Sequence, residues 1–221
     1  MIFDSATVNM LIEGIGETLY MVFLSSALSY LIGIPLGIIL VVTDKDGIRP
    51  LPIVQGLLGL AINLLRAVPF IILLIMVIPI TKALVGTLVG AKAIVPPLVI
   101  AAAPYIARMV ESSFKEVDAG VIEAAKSMGA STFQIVWKVL LPEAKPSLLV
   151  GAAISITTIL GYSAMAGFVG GGGLGAIAIN HGYYRYEAGL MFVTAAILVI
   201  IVQIIQEVMM RLSRATDRRI R

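Results

Sequence analysis

Apolar runs of bilayer-spanning length recur along most of this chain, and that pattern removes most folds from consideration. A hydrocarbon core about 30 Å thick takes roughly 20 residues of α-helix. Inside it every backbone N–H and C=O must be satisfied by the protein itself, which helices do within a single segment. We read five spans, at about Thr18 to Val42, Ile53 to Ile80, Ile94 to Val110, Leu148 to Phe168 and Gly189 to Met210. The second is interrupted by Asn63, Arg66 and Pro69, and the third is expected to break at Pro96, Pro97 and Pro104. The expected fold is an all-α integral membrane protein, with residues 1–221 as one transmembrane domain.

Composition narrows the function. Hydrophobic residues make up 59% of the chain and charged residues 13%, where a soluble domain carries about a quarter charged. With no cysteine and one histidine, His181, neither a thiolate site nor a multi-histidine metal centre is expected. Ser163 has no histidine near it in sequence, so no catalytic constellation forms and the chain is not read as an enzyme. No G-K-[ST] occurs, which leaves the chain without a P-loop for ATP. Asp4, Glu13 and Glu17 are acidic where a leader would be basic, so the first apolar segment is expected to stay as a span. No linker separates off a soluble domain, and an energy source is therefore expected on other chains.

The net charge of +3 is a topology signal, not a nucleic-acid one. Placing the loop between spans three and four in the cytoplasm leaves only Lys82, Lys92 and Arg185 outside, of sixteen Lys and Arg. The positive-inside bias then sets the N-terminus outside and the C-terminus inside.

That loop holds the longest polar interruption of the chain, Glu123 to Pro142. Gly129 is placed to end one short helix in the left-handed conformation, and Ser131 with Gln134 forms an S-x-x-Q capping box that starts another. Pro142 is expected to end that second helix. Val121, Ala124, Ala125 and Met128 share a helical stripe, with Glu123, Lys126 and Ser127 off it. Phe133, Val136, Val139 and Leu140 form the apolar face of the second helix, with Trp137 and Lys138 at its edge. Two readings fit: a knob that docks into a partner, or an amphipathic loop that Lys126 and Lys138 anchor to headgroups.

Other features carry less specific signals. Arg66 is the ionisable residue set closest to membrane depth, and reads either as a pathway group or as an anchor snorkelling to the cytoplasmic surface, which we prefer. Gly170, Gly172 and Gly175 spell G-x-G-x-x-G, but no strand precedes them and no acidic residue follows in a dinucleotide frame. They are expected to make a tight non-helical turn at the outer mouth. Tyr162, Ser163 and Met165 interrupt an aliphatic span and are candidates to line a translocation path; helix packing is the other reading, favoured for Ser163. His181 is read as a structural residue of an outer loop.

The segment EAAKSMG, followed by nine residues and V-L-LP, resembles the EAA loop of permease subunits of ATP-binding-cassette importers. Glu123, Ala124, Ala125, Gly129, Leu141 and Pro142 match the pattern, and Val139 stands where isoleucine is usual. The resemblance implies that the segment at about 117–142 is a coupling helix seated in a groove of the ATPase subunit. RAVPFIILL, AAAPYIARMVESS, QIVWKVLLPEAKP and GYSAMAGFVGGGGLGAI extend the resemblance over nearly the whole chain, to the methionine-importer branch. It implies a five-span type I importer core in a bacterial inner membrane, with this chain as a homodimer. Two copies of an ATPase subunit would hold ATP and Mg, and a methionine-binding lipoprotein or periplasmic protein would deliver methionine, D or L. A permease for another amino acid or small solute is the nearest alternative. An ATP-independent secondary transporter is the more distant one, and it would be expected to carry intramembrane acids or an inverted repeat.

Overall fold

The structure, a computed structural model, describes residues 4–216, and among them every regular element is helical. Helix α1 (Ser5–Thr43) begins well before the expected Thr18, because the Asp4 carboxylate accepts hydrogen bonds from the Ala6 and Thr7 amides and caps it. Its 39 residues reach about 58 Å, far more than a bilayer core requires. Helix α2 (Pro52–Ala67) starts on a proline, where the missing N–H costs nothing.

The expected second span is not one helix. The chain turns by 104° between α2 and α3 (Phe70–Met76), since Val68 precedes Pro69 and is held extended. A further short helix, α4 (Ile78–Val85), closes on Gly86 before α5 begins. The third span departs from expectation in the opposite sense: α5 (Ala91–Lys115) runs unbroken through Pro96, Pro97 and Pro104. Surrounding helices hold it, for 67% of its apolar window is buried, against 11% in the last helix.

Helix α6 (Ala119–Ser127) lies beyond α5, and α7 (Thr132–Ile135) follows it. Pro142 does not end the second coupling helix. A π turn at Val136–Leu140 lets the Leu141 amide reach back to the Val136 carbonyl, and the chain continues without interruption into α8 (Leu141–Met165). The widened turn accommodates the ring that an ordinary helical turn would expel. A 3-10 turn at Ala166–Val169, the short α9 (Gly173–Ile177), a second π turn at Ala178–Tyr183 and α10 (Ala188–Thr216) complete the order.

The core forms around α5, with α1 against it along a row of small buried residues, Ser25, Ser29, Gly33 and Gly37. Long-range bonds sort the loops into two ends. Lys115 meets Asp44, Lys126 meets the Gly47 carbonyl, and Ser213 meets the Pro146 carbonyl at one end. Gly90 donates to the Gly170 carbonyl, and Gly173 to Glu17, at the other. The segment from α2 to α4 therefore crosses between the ends once, so the odd number of crossings survives the break.

Candidate functional site

The coupling segment is an elbow whose geometry follows from its sequence. At its corner Gly129 has φ of +77°, the Ala130 amide donates to Ala125 O and the Gly129 amide to Lys126 O. That double bond is the Schellman closure of α6. Two residues on, the Ser131 hydroxyl accepts from the Gln134 amide at 3.3 Å, and the Gln134 side chain accepts from the Ser131 amide at 2.8 Å. Both expectations about the corner hold, and together they fix the angle between the two helices.

The faces of the elbow differ from the sequence reading. Ala125 is 4% exposed and packs into the main core cluster, with Ile122 half-buried against that core, so it turns away from solvent. Val121, Glu123, Ala124 and Met128 are exposed, Met128 at 81%. The stripe thus divides: Ala125 seats the elbow on its own chain while its neighbours point outward. Phe133 also leaves the expected apolar face. It stacks on Trp137, one turn away, with ring centroids 6.0 Å apart and both rings exposed. Ile135, Val136 and Leu140 make the buried side instead. Of the remaining motif residues, Leu141 is half-buried and Pro142 exposed.

A charged network that sequence reasoning missed lies immediately beneath the elbow. Glu111, 6% exposed, accepts from Arg108 at 2.6 Å and from Lys115 at 2.9 Å. Lys115 also reaches Asp44 at 2.6 Å, and Arg108 donates to the Gly59 carbonyl and to Asn63, each at 3.0 Å. The Lys115 ammonium holds the Asp44 carboxyl below its ordinary range. The i, i+3 and i, i+4 spacing of Arg108, Glu111 and Lys115 was the available signal. The network joins α5 to α2 and to the turn after α1, and Lys126 touches that turn at Gly47 O, 3.5 Å away. A cavity of about 420 Å³ opens there, between Asp44–Ile48, Lys115 and Ile122.

The candidate path residues separate. Tyr162 is half-buried and stacks on Phe70 at 4.5 Å with the rings nearly parallel. Met165 is 45% exposed. Ser163 is 1% exposed and donates to the Leu160 carbonyl at 2.7 Å, the buried, packed position favoured for it. Arg66 sits in the last turn of α2, its guanidinium 5.9 Å from the Tyr105 ring centroid. Tyr105 lies ten residues inside the Lys115 end of α5, about 15 Å along the axis.

At the other end, Gly170 and Gly172 take φ of +78° and +75°, as a tight turn requires, and Gly173 joins them at +73°. Gly175 belongs to α9, where it packs against the Ala164 backbone with no room for a side chain. Glu17 accepts from the Gly173 amide at 2.6 Å and Thr18 from the Leu174 amide at 2.9 Å, two contacts that the sequence did not suggest. His181 lies 3.4 Å from Arg185 on the same turn. Among the described residues no cluster of His, Asp and Glu could hold a metal.

Comparison with known proteins places this architecture. Residues 33–221 match the family of binding-protein-dependent transport system inner membrane components. The probable D-methionine transport system permease protein MetI of Vibrio cholerae serotype O1 is 47% identical over 212 residues, 96% of this chain and 94% of that protein. The methionine import system permease protein MetP of Bacillus subtilis strain 168 is 41% identical, over 92% of this chain and 91% of its own length. A chain from inward-facing conformations of the MetNI methionine ABC transporter superposes with a TM-score of 0.96 at 44% identity, covering 98% of this chain and all of that one. The chain belongs to the family of binding-protein-dependent transport system inner membrane components.

Proposed function

We propose that this chain is the transmembrane subunit of an ATP-driven methionine importer, pairing with a second copy of itself. Identity above 40% to methionine permeases, over nine-tenths of the chain, carries the substrate assignment. The exposed elbow carries the coupling assignment. Glu123, Ala124, Met128, Phe133 and Trp137 project from the end of the bundle as a knob of small, charged and aromatic groups. Ala125, Gly129, Leu141 and Pro142 shape and seat that knob. A headgroup anchor would set its basic residues and apolar side on one plane. Here Lys126 turns instead toward the Gly47 carbonyl.

A partner ATPase, holding ATP and Mg, pushes on the knob, and the push reaches α2, α5 and α8 through the charged network and the continuous α7–α8 helix. The paired chains then alternate between inward- and outward-facing cavities. The glycine turn at Gly170–Gly173 forms part of the outer mouth, where a methionine-binding protein delivers substrate. The elbow faces the cytoplasm of a bacterial cell, and the N-terminus faces outward.

The test is charge reversal at the knob. Glu123→Arg should leave the protein inserted and folded yet abolish substrate-stimulated ATP hydrolysis by the assembled transporter. Wild-type stimulation in that variant would refute the coupling role. Met128→Cys should crosslink to the ATPase subunit and label with impermeant reagents only from the cytoplasmic side.

A further inference from the structure

Two arginines stand in segments long and apolar enough to cross a membrane, Arg66 on α2 and Arg108 on α5, and only one is neutralised. Arg108 has Glu111, Asn63 and the Gly59 carbonyl within 3.0 Å. Arg66 forms no ion pair and no hydrogen bond with any other described residue; its neighbour is the Tyr105 ring. A lone guanidinium at membrane depth costs several kcal/mol unless water or an anion reaches it. Snorkelling gives no relief, because Arg66 lies about 20 Å along α2 from Pro52.

The surroundings indicate which relief is available. Tyr105 and Tyr162 are half-buried against the same core, and Phe70 stacks on Tyr162. On α8 one stripe at helical spacing holds Ile154, Gly161 and Met165, which are exposed, and Thr158 and Tyr162, which are half-buried, so that hydroxyls mix with apolar groups. The exposed face of α10, in contrast, is apolar from Phe192 through Val199 and Ile200, and Gln203 and Glu207 join it only further along, beside Ile204 and Val208. The α10 face is the one made for lipid. An unpaired cation over the Tyr105 ring, on the helix that leads into Phe70 and its stacked partner Tyr162, belongs to a wall made for water and solute.

We infer that Arg66, with Tyr105, Tyr162 and Phe70 beside it, is a transit site for the carboxylate of an amino-acid substrate. The inference rests on the import reading above and deepens it. Guanidinium and carboxylate match as a two-pronged pair. The rings and Met165 offer polarisable contacts to a thioether side chain. With no second cation at the site, the hold is a single fork, weak enough to release solute onward, as a conducting site must.

The chain has no cysteine, so an introduced one is the only thiol it carries. Thr158→Cys, and separately Ile154→Cys, place reporters on the α8 stripe of the transporter assembled with its ATPase subunit in liposomes. Two water-soluble thiosulfonate reagents, one anionic and one cationic, are then compared. The anionic reagent should react roughly fivefold faster, a ratio equal to a total difference of about 1 kcal/mol between attracting one unit charge and repelling the other across a water-like medium. Adding Arg66→Gln should erase that ratio, and Arg66→Lys should keep it. Methionine should slow the anionic reaction and methionine amide should not, while Val199→Cys on α10 should stay unreactive. Unreactive reporters on both α8 positions, or a ratio unchanged by Arg66→Gln, would overturn the site while leaving methionine uptake by the unaltered transporter intact. Protection by other amino acids but not by methionine would keep the carboxylate site and instead defeat the methionine assignment.

Discussion

The two ends of the bundle are held by different chemistry. At the elbow end side chains make the ties: Asp44, Arg108, Glu111 and Lys115 form a chain of charges with Asn63 and the Gly59 carbonyl. At the opposite end every tie runs to backbone, including those that Glu17 and Thr18 accept from the Gly173 and Leu174 amides. A Cβ on Gly167 would stand 2.6 Å from the Gly175 carbonyl carbon, and Gly90 donates to the Gly170 carbonyl. Ion pairs can exchange partners over small displacements, so the elbow end is a joint that can move and reform. Backbone packed without space for a methyl group has one arrangement, and the outer turn behaves as a fixed part.

The sharpest break in this contrast should come from Gly175→Val, whose side chain would overlap the Ala164 carbonyl. We expect almost no folded protein after detergent extraction, read as loss of the monodisperse peak in size-exclusion chromatography. A normal yield would show the outer turn to be deformable after all. Glu111→Ala should come next. It removes the buried carboxylate that pairs the half-buried Arg108, and should cost about 3 kcal/mol, seen as a lower unfolding temperature. A variant as stable as the wild type would remove the network from the account.

Gly129→Ala should have a smaller effect, for a Cβ there meets open space and only the left-handed backbone opposes it. The expected loss is about 1 kcal/mol, with ATP hydrolysis less tightly tied to uptake. The smallest effect concerns pH at the joint. Lys115 lowers the pKa of Asp44, so their tie stabilises the fold above the ordinary aspartate value and is lost as pH falls through the lowered one. The stability gap between wild type and Asp44→Asn should be constant from about pH 5 to 8 and shrink below about pH 4. A gap that widens on acidification would contradict the pairing.

Legibility in the sequence follows the same division. The Gly129 corner and the Ser131–Gln134 box were readable because capping is local, decided within a few residues. The face of Ala125 was not, since its burial depends on how the second arm of the elbow, Thr132 to Leu140, folds back on α6. Pro104 was read as a break and Pro142 as a stop, yet both lie within continuous helices. Tertiary packing holds the first, and a π turn absorbs the second. At the outer end the positive φ of Gly170 and Gly172 agreed with the expected turn. Glu17 and Thr18 gave no hint, because their partners are backbone amides 156 residues away.

One measurement bears most directly on the claim that another chain's ATP moves this one. Labelled methionine uptake would be followed in liposomes containing the purified chain alone, the chain with its ATPase subunit, and the full set with ATP and the binding protein. The account requires concentrative uptake only in the full set, and its loss on Glu123→Arg. Methionine movement through the chain alone, without ATP, would contradict it.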